Sequence, residues 1–164
     1  DKAKKRLTLA QATNALAESG TDADIRTVKS LIEANGFIWA LNRRTRGANE
    51  IGSIRALMKS WRALGNEEFS RMLVLLRCTW GGHPDSLTSF IFSGMTIFLK
   101  TYSAEMDDRL FIRQLSKVDP DEIVRRGKLD FSTNSNGLRY ARVILEKYNN
   151  QRKNAKKLPY HFSD

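Results

Sequence analysis

The chain has 164 residues, a length that suits one domain with a sizeable core. Its single cysteine, Cys78, excludes an intrachain disulfide, and no apolar run reaches the roughly 18 residues needed to cross a bilayer. The net charge of +10 favours polyanionic partners such as nucleic acid or acidic lipid.

The N-terminus, from Asp1 to Arg6, is basic and has no apolar signal core behind it. It also lacks an initiator methionine, so the expectation is a piece of a longer cytoplasmic protein. Leu7, Leu9, Ala12, Leu16 and Ala17 then repeat at helical spacing up to Gly20. A second helix starts at Thr21 or Asp22, presents Ile25, Val28, Leu31 and Ile32 on one face, and stops at Asn35-Gly36. Phe37 to Leu41 is aromatic and β-branched, and reads as a strand. With a brief partner near Glu50–Gly52 it makes a short β-hairpin near residues 37–52.

From Ser53 onward the pattern is helical. Ile54, Leu57, Met58 and Trp61 form one face, ending at Gly65. Asn66 caps the next helix, which buries Phe69, Met72, Leu73, Leu76 and Trp80 before Gly81-Gly82. A helix from Asp85 or Ser86 runs to Tyr102, with one charge, Lys100, between Ser86 and Tyr102. An all-round apolar helix belongs at the centre of a bundle. Shorter helices are expected around Asp107–Val118, Pro120–Lys128 and Asn136–Asn150. Asp119-Pro120-Asp121-Glu122 is a strong start signal. The fold class is therefore mainly α: one bundle of seven or eight helices over residues 1–150, with residues 151–164 as a basic mobile tail.

The catalytic options are few. One cysteine and two histidines, His83 and His161, cannot close a zinc site, and no metal or cofactor is expected. Cys78 reads as a buried thiol and His83 as a loop residue. Asp107-Asp108 and Asp119/Asp121/Glu122 cluster where helix N-termini favour negative charge, so capping explains them, with a carboxylate metal site as the alternative. The glycines of "WGGHPDS" lack the lysine of a phosphate loop. A helix-turn-helix over Ala12–Glu33 is disfavoured by the mixed charges Asp24, Arg26, Lys29 and Glu33.

The basic clusters carry more. Arg43, Arg44 and Arg46 sit in the turn and lead into Arg55, Lys59 and Arg62, which share one helical face. A second run holds Arg139, Arg142, Lys147, Arg152, Lys153, Lys156 and Lys157 against Glu146 alone, with Leu138, Ala141, Leu145 and Tyr148 as the apolar face. Arg139, Arg142 and Lys147 are then expected to point outward. The stretch beyond Asn150 is expected to order only on a polyanion. Deleting Arg152–Asp164 should, on this reading, leave stability nearly unchanged. Arg125, Arg126 and Lys128 read as complements to helix-end carbonyls.

The succession "EANGF", "IGSIRALMKSW", "LLRCTWGGHPDSL", "FLKTY", "DRLFIRQLSKVDPDEI" and "ILEKYNNQRKNAKKLP" resembles the helical region after a ParB/sulfiredoxin-type domain in uncharacterised ParB-like proteins of phages, plasmids and actinobacteria. The ParB-type domain itself has no counterpart here, so no catalytic residue is carried over. The resemblance implies a helical module of a DNA-associated mobile-element protein. Together with the charge it makes the expected function a non-catalytic nucleic-acid-binding module, with DNA favoured over RNA. The alternatives are a protein-interaction or homo-oligomerisation domain, with Trp39, Trp61 or Trp80 in an exposed patch, and a fragment of a metal-dependent enzyme acting on nucleotides or nucleic acid.

Overall fold

A computed structural model describes residues 23–40, 47–130 and 136–163. Helix α1, Ala23–Ala34, buries Ile25, Val28 and Ile32 at spacings of three and four, as an amphipathic helix must. It ends where expected. Gly36 takes φ +84°, and the Phe37 N–H donates to the Ile32 carbonyl at 3.1 Å.

Strands β1, Ile38–Trp39, and β2, Glu50–Ile51, fall where a strand pair was expected and bond to each other. They run parallel, Ile38 opposite Glu50, whereas a hairpin would be antiparallel. The pair is tied to a distant turn: the Asn49 N–H donates to the Gly82 carbonyl at 2.7 Å.

Helix α2 spans Ile54–Trp80, but Gly65 within it has φ 80° and ψ 175°, so it is two segments meeting at a kink. The expected break at Gly65 is thus present, without a loop. Helix α3, Ser89–Tyr102, starts later than expected. Pro84–Ser86 forms a separate 3-10 turn, and Thr88 caps α3, its Oγ1 accepting from the Ile91 N–H at 3.4 Å. Helices α4 (Asp108–Leu115), α5 (Pro120–Asp130) and α6 (Asn136–Asn149) follow. Six helices are therefore described where seven or eight were expected. The two expected around Gly65 are joined, and the one expected over Leu7–Ala17 lies outside the described residues.

Helix α3 is central, as its composition predicts. Ile91, Phe92, Met95, Phe98, Leu99 and Tyr102 are all inaccessible, and α3 packs most broadly on α6 and then on α2. The approach to α6 is close at Gly94. A Cβ there would stand 2.7 Å from the Tyr140 Cβ and 3.2 Å from the Tyr140 carbonyl carbon. Gly94→Ala should therefore destabilise by about 2 kcal/mol, despite a helix-propensity gain of about 1 kcal/mol. Urea unfolding measures this, and a neutral result would rule out such close packing.

Residues 151–163, expected as a mobile tail, fold back on the bundle. The Tyr102 Oη donates to the Pro159 carbonyl at 2.6 Å and accepts from the His161 N–H at 2.9 Å. Asn149 brackets the backbone of Leu158, its Nδ2 donating to the carbonyl at 3.0 Å and its Oδ1 accepting from the N–H at 2.9 Å. Phe162 is buried, edge-on to Tyr102 with ring centroids 5.3 Å apart. Burial pushes the Tyr102 hydroxyl above the usual tyrosine value. The lysine-rich stretch has no anchor of its own, but Leu158 and the following aromatics supply one. Among the described residues no helix is long and apolar enough to cross a membrane.

Candidate nucleic-acid interface

The folded-back segment builds a groove. Gln114 on α4 is buried, and its Nε2 donates to the Asn150 carbonyl at 2.6 Å and to the Tyr148 carbonyl at 3.3 Å. That amide fixes α4 against the end of α6. The chain then rises over α4, with Gln151 at φ 59°. A groove of about 380 Å³ lies between them. Its cations are Arg113 and Lys117 on one wall and Arg152, Lys153 and Lys156 on the other, with no acid among the lining residues.

Two of these groups have local partners. The Lys117 Nζ donates to the Gln114 Oε1 at 3.2 Å. The Arg152 Nε donates to the Lys156 carbonyl at 3.2 Å, and its guanidinium lies 6.0 Å from the Tyr148 ring centroid. Those contacts hold the cations over the groove. Arg113, Lys153 and Lys156 are exposed. Such an array can bind consecutive phosphates through charge-assisted hydrogen bonds.

The expected residues divide. Arg152, Lys153 and Lys156 are brought together in this groove, while Lys157 is exposed and does not line it. Arg139, Arg142 and Lys147, expected to point outward, are half-buried instead. The Lys147 Nζ pairs with Glu122 at 3.5 Å, and the Arg142 Nε donates to the Tyr160 Oη at 2.7 Å. The reason is that α6 carries a wider apolar surface than one stripe. Tyr140, Val143 and Ile144 are buried along with Leu138, Ala141, Leu145 and Tyr148, because α3, α5 and α4 all pack against it.

Arg55, Lys59 and Arg62 do share a face, as spacing predicts. They rim a second groove, of about 450 Å³, floored by Ile25, Ile54 and Met58 and reaching Ser89 and Ser93. This groove meets α3 at its first turn, whereas the Arg152 groove adjoins the far end of α6, where Tyr148 faces Phe98. The two basic regions are therefore separate. Arg43, Arg44 and Arg46 lie outside the described residues.

Arg113 and Lys117 were not singled out from the sequence. The signal was there: Arg109, Arg113 and Lys117 recur every four residues, the spacing of one helical face.

The acids are used structurally. The Asp107 Oδ1 accepts from the N–H groups of Arg109 and Leu110 at 2.9 and 3.2 Å, and Asp108 pairs with Arg71 at 2.6 Å. Arg126 pairs with Glu146, and Lys128 stands over the Phe90 ring. Cys78 is exposed, contrary to its apolar neighbourhood in sequence, because its position on α2 faces solvent. The His83 Nδ1 accepts from the Asp85 N–H at 3.1 Å and so caps the 3-10 turn. No tryptophan forms an exposed patch. Trp39, Trp61 and Trp80 are half-buried, with the Trp61 Nε1 donating to the Asn66 Oδ1 and the Trp80 Nε1 to the Val118 carbonyl.

A family model described as a family of unknown function, DUF6551, matches residues 8–162. The chain belongs to this family. The DUF6551 match runs to Phe162, so the folded-back C-terminal segment, and with it one wall of the groove, lies inside the family's matched region. Searches of curated proteins and of solved structures returned no significant match.

Proposed function

We propose that this DUF6551 chain is a non-catalytic nucleic-acid-binding module that grips a phosphate backbone, DNA in preference to RNA. The observation that carries the reading is the acid-free groove with Arg113 and Lys117 facing Arg152, Lys153 and Lys156. The net charge of +10 adds long-range attraction to any polyanion. The Arg55, Lys59 and Arg62 groove supplies a second phosphate contact. The resemblance to ParB-like mobile-element proteins supports the same reading and is what favours DNA.

Contacts of this kind hold register on the backbone without reading base edges. Affinity should therefore be nearly independent of sequence and fall with salt by roughly 0.9 log unit per log unit for each phosphate neutralised on duplex DNA. Fluorescence anisotropy with short DNA duplexes of two unrelated sequences, and with RNA of the same length, measures both. Reversing two groove charges together, K153E with K156E, should weaken binding at least about tenfold and flatten the salt slope by roughly one to two phosphates. A flat salt response, or an unchanged double variant, would remove the reading.

A further inference from the structure

Helix α5 commits one face to the bundle and leaves another uncovered. Its ion pairs lie toward α6: Glu122 accepts from the Lys147 Nζ at 3.5 Å, and Arg126 pairs with Glu146. Asp121, Arg125 and Lys128 share a different face, at spacings of four and three. All three are exposed. Among the described residues Asp121 and Arg125 make no ion pair, not even with each other one turn apart.

These three side chains line a groove of about 500 Å³ between α5 and the start of α3, and Phe90 and Val124 are its apolar part. Phe90 carries the Lys128 Nζ at 4.3 Å from its ring centroid and packs on the Tyr140 ring at 5.5 Å. It is still 39% exposed, whereas Ile91 and Phe92 beside it are fully buried. Leu129, next after Lys128 on α5, is 73% exposed. Single exposed apolar side chains are ordinary on a protein surface. Apolar groups gathered in one groove inside a charged rim have the form of a protein contact surface.

The rim says what covers it. Acids lie at one end, with Asp121 in the first turn of α5 and Asp85 on the adjoining 3-10 turn. Cations lie at the other, with Lys128 two turns and about 10 Å further along the helix than Asp121. A uniformly charged partner, nucleic acid included, matches one end and is repelled by the other. The surface is instead complementary to itself. Turned by half a turn about an axis across the middle of α5, the acids of one copy stand over the cations of the other, twice, and the Phe90 and Val124 surfaces meet between them. The two α5 helices then run antiparallel, with their dipoles opposed.

We propose that the groove between α5 and Phe90 is the two-fold contact of a homodimer, in which Asp85 and Asp121 of each copy pair with Arg125 and Lys128 of the other around the two Phe90 rings. The contact is small, so the dimer is weak and concentration-dependent.

Sedimentation velocity of the full chain, from about 10 µM to about 1 mM, tests the contact over the range of a weak association. Reversible dimerisation is expected. Phe90→Ala should weaken it about tenfold, the usual loss for a central aromatic anchor. R125D and D121R should each weaken it at least about tenfold, because each sets like charges against one another across the axis. Mixed in equal amounts, R125D and D121R should associate with each other, since opposite charges again meet at both ends. Asp121 and Arg125 are exposed, so both variants should keep the fold, which their melting curves check. A strict monomer at about 1 mM, a dimer unchanged by Phe90→Ala and by both reversals, or two reversals that fail to pair when mixed would overturn the proposal. The contact does not depend on the protein's binding nucleic acid.

Discussion

Removing residues 152–164 should lower the free energy of unfolding by about 3–5 kcal/mol, the range for losing one buried aromatic side chain together with its hydrogen bonds. The segment buries Phe162 against Tyr102 and satisfies the Tyr102 hydroxyl as both donor and acceptor. Its loss also leaves Asn149 without the Leu158 backbone. Urea unfolding followed by circular dichroism gives the number. A shift below about 1 kcal/mol would mean that the segment is not part of the cooperative unit. Two point variants divide the effect. Phe162→Ala removes the aromatic anchor, and Tyr102→Phe removes the shared hydroxyl at an expected cost of about 1–2 kcal/mol. Phe162→Ala also keeps every groove cation. If the fold-back is what positions Arg152, Lys153 and Lys156, this variant should weaken DNA binding under conditions where it remains folded.

Arg71→Ala should cost about 2–3 kcal/mol, because one guanidinium serves four acceptor groups across a chain reversal. Its Nη1 donates to the Ser103 carbonyl at 2.7 Å, its Nη2 to the Met106 carbonyl at 3.2 Å and to Asp108 at 2.6 Å, and Glu68 lies 3.3 Å away. The side chain is 21% exposed, so water would partly replace these bonds and the loss stays well below the sum for four acceptors. The contact joins α2 to the turn between α3 and α4, and so sets where α4 and its Arg113–Lys117 wall begin. Arg71→Lys should recover less than half of the loss, since a single ammonium cannot reach carbonyls and carboxylate in a fork. Full recovery in the lysine variant would show that charge alone matters.

The local signals of the chain were legible residue by residue. Leu57, Met58, Phe69, Met72, Leu73 and Leu76 recur at helical spacing and are buried. Gly36 and Gly65 mark the breaks, because each adopts a positive φ that a side chain would resist. Asp107 caps α4 and Pro120 opens α5, as backbone chemistry at helix ends demands. The uniform apolarity of residues 89–102 was enough to place α3 at the centre.

What the spacing along the chain could not provide was the partner of each surface. Phe162 and Tyr102 are 60 residues apart by number, and nothing local marks them as a pair. The cations of α6 looked solvated on a helical wheel, yet Glu122 and Tyr160, brought in from elsewhere, hold Lys147 and Arg142 down. The candidate groove arises from α4 and the C-terminal segment through the buried Gln114 amide. The sequence by itself determined the sign of the charge, the central element and, among the described residues, where most helices lie, because helical periodicity and end signals depend on contacts within about four residues. Only the tertiary structure decided which cations face a common groove and that the last residues belong to the core. Those outcomes depend on apolar burial and hydrogen bonds between residues far apart in the chain, for which local periodicity carries no signal.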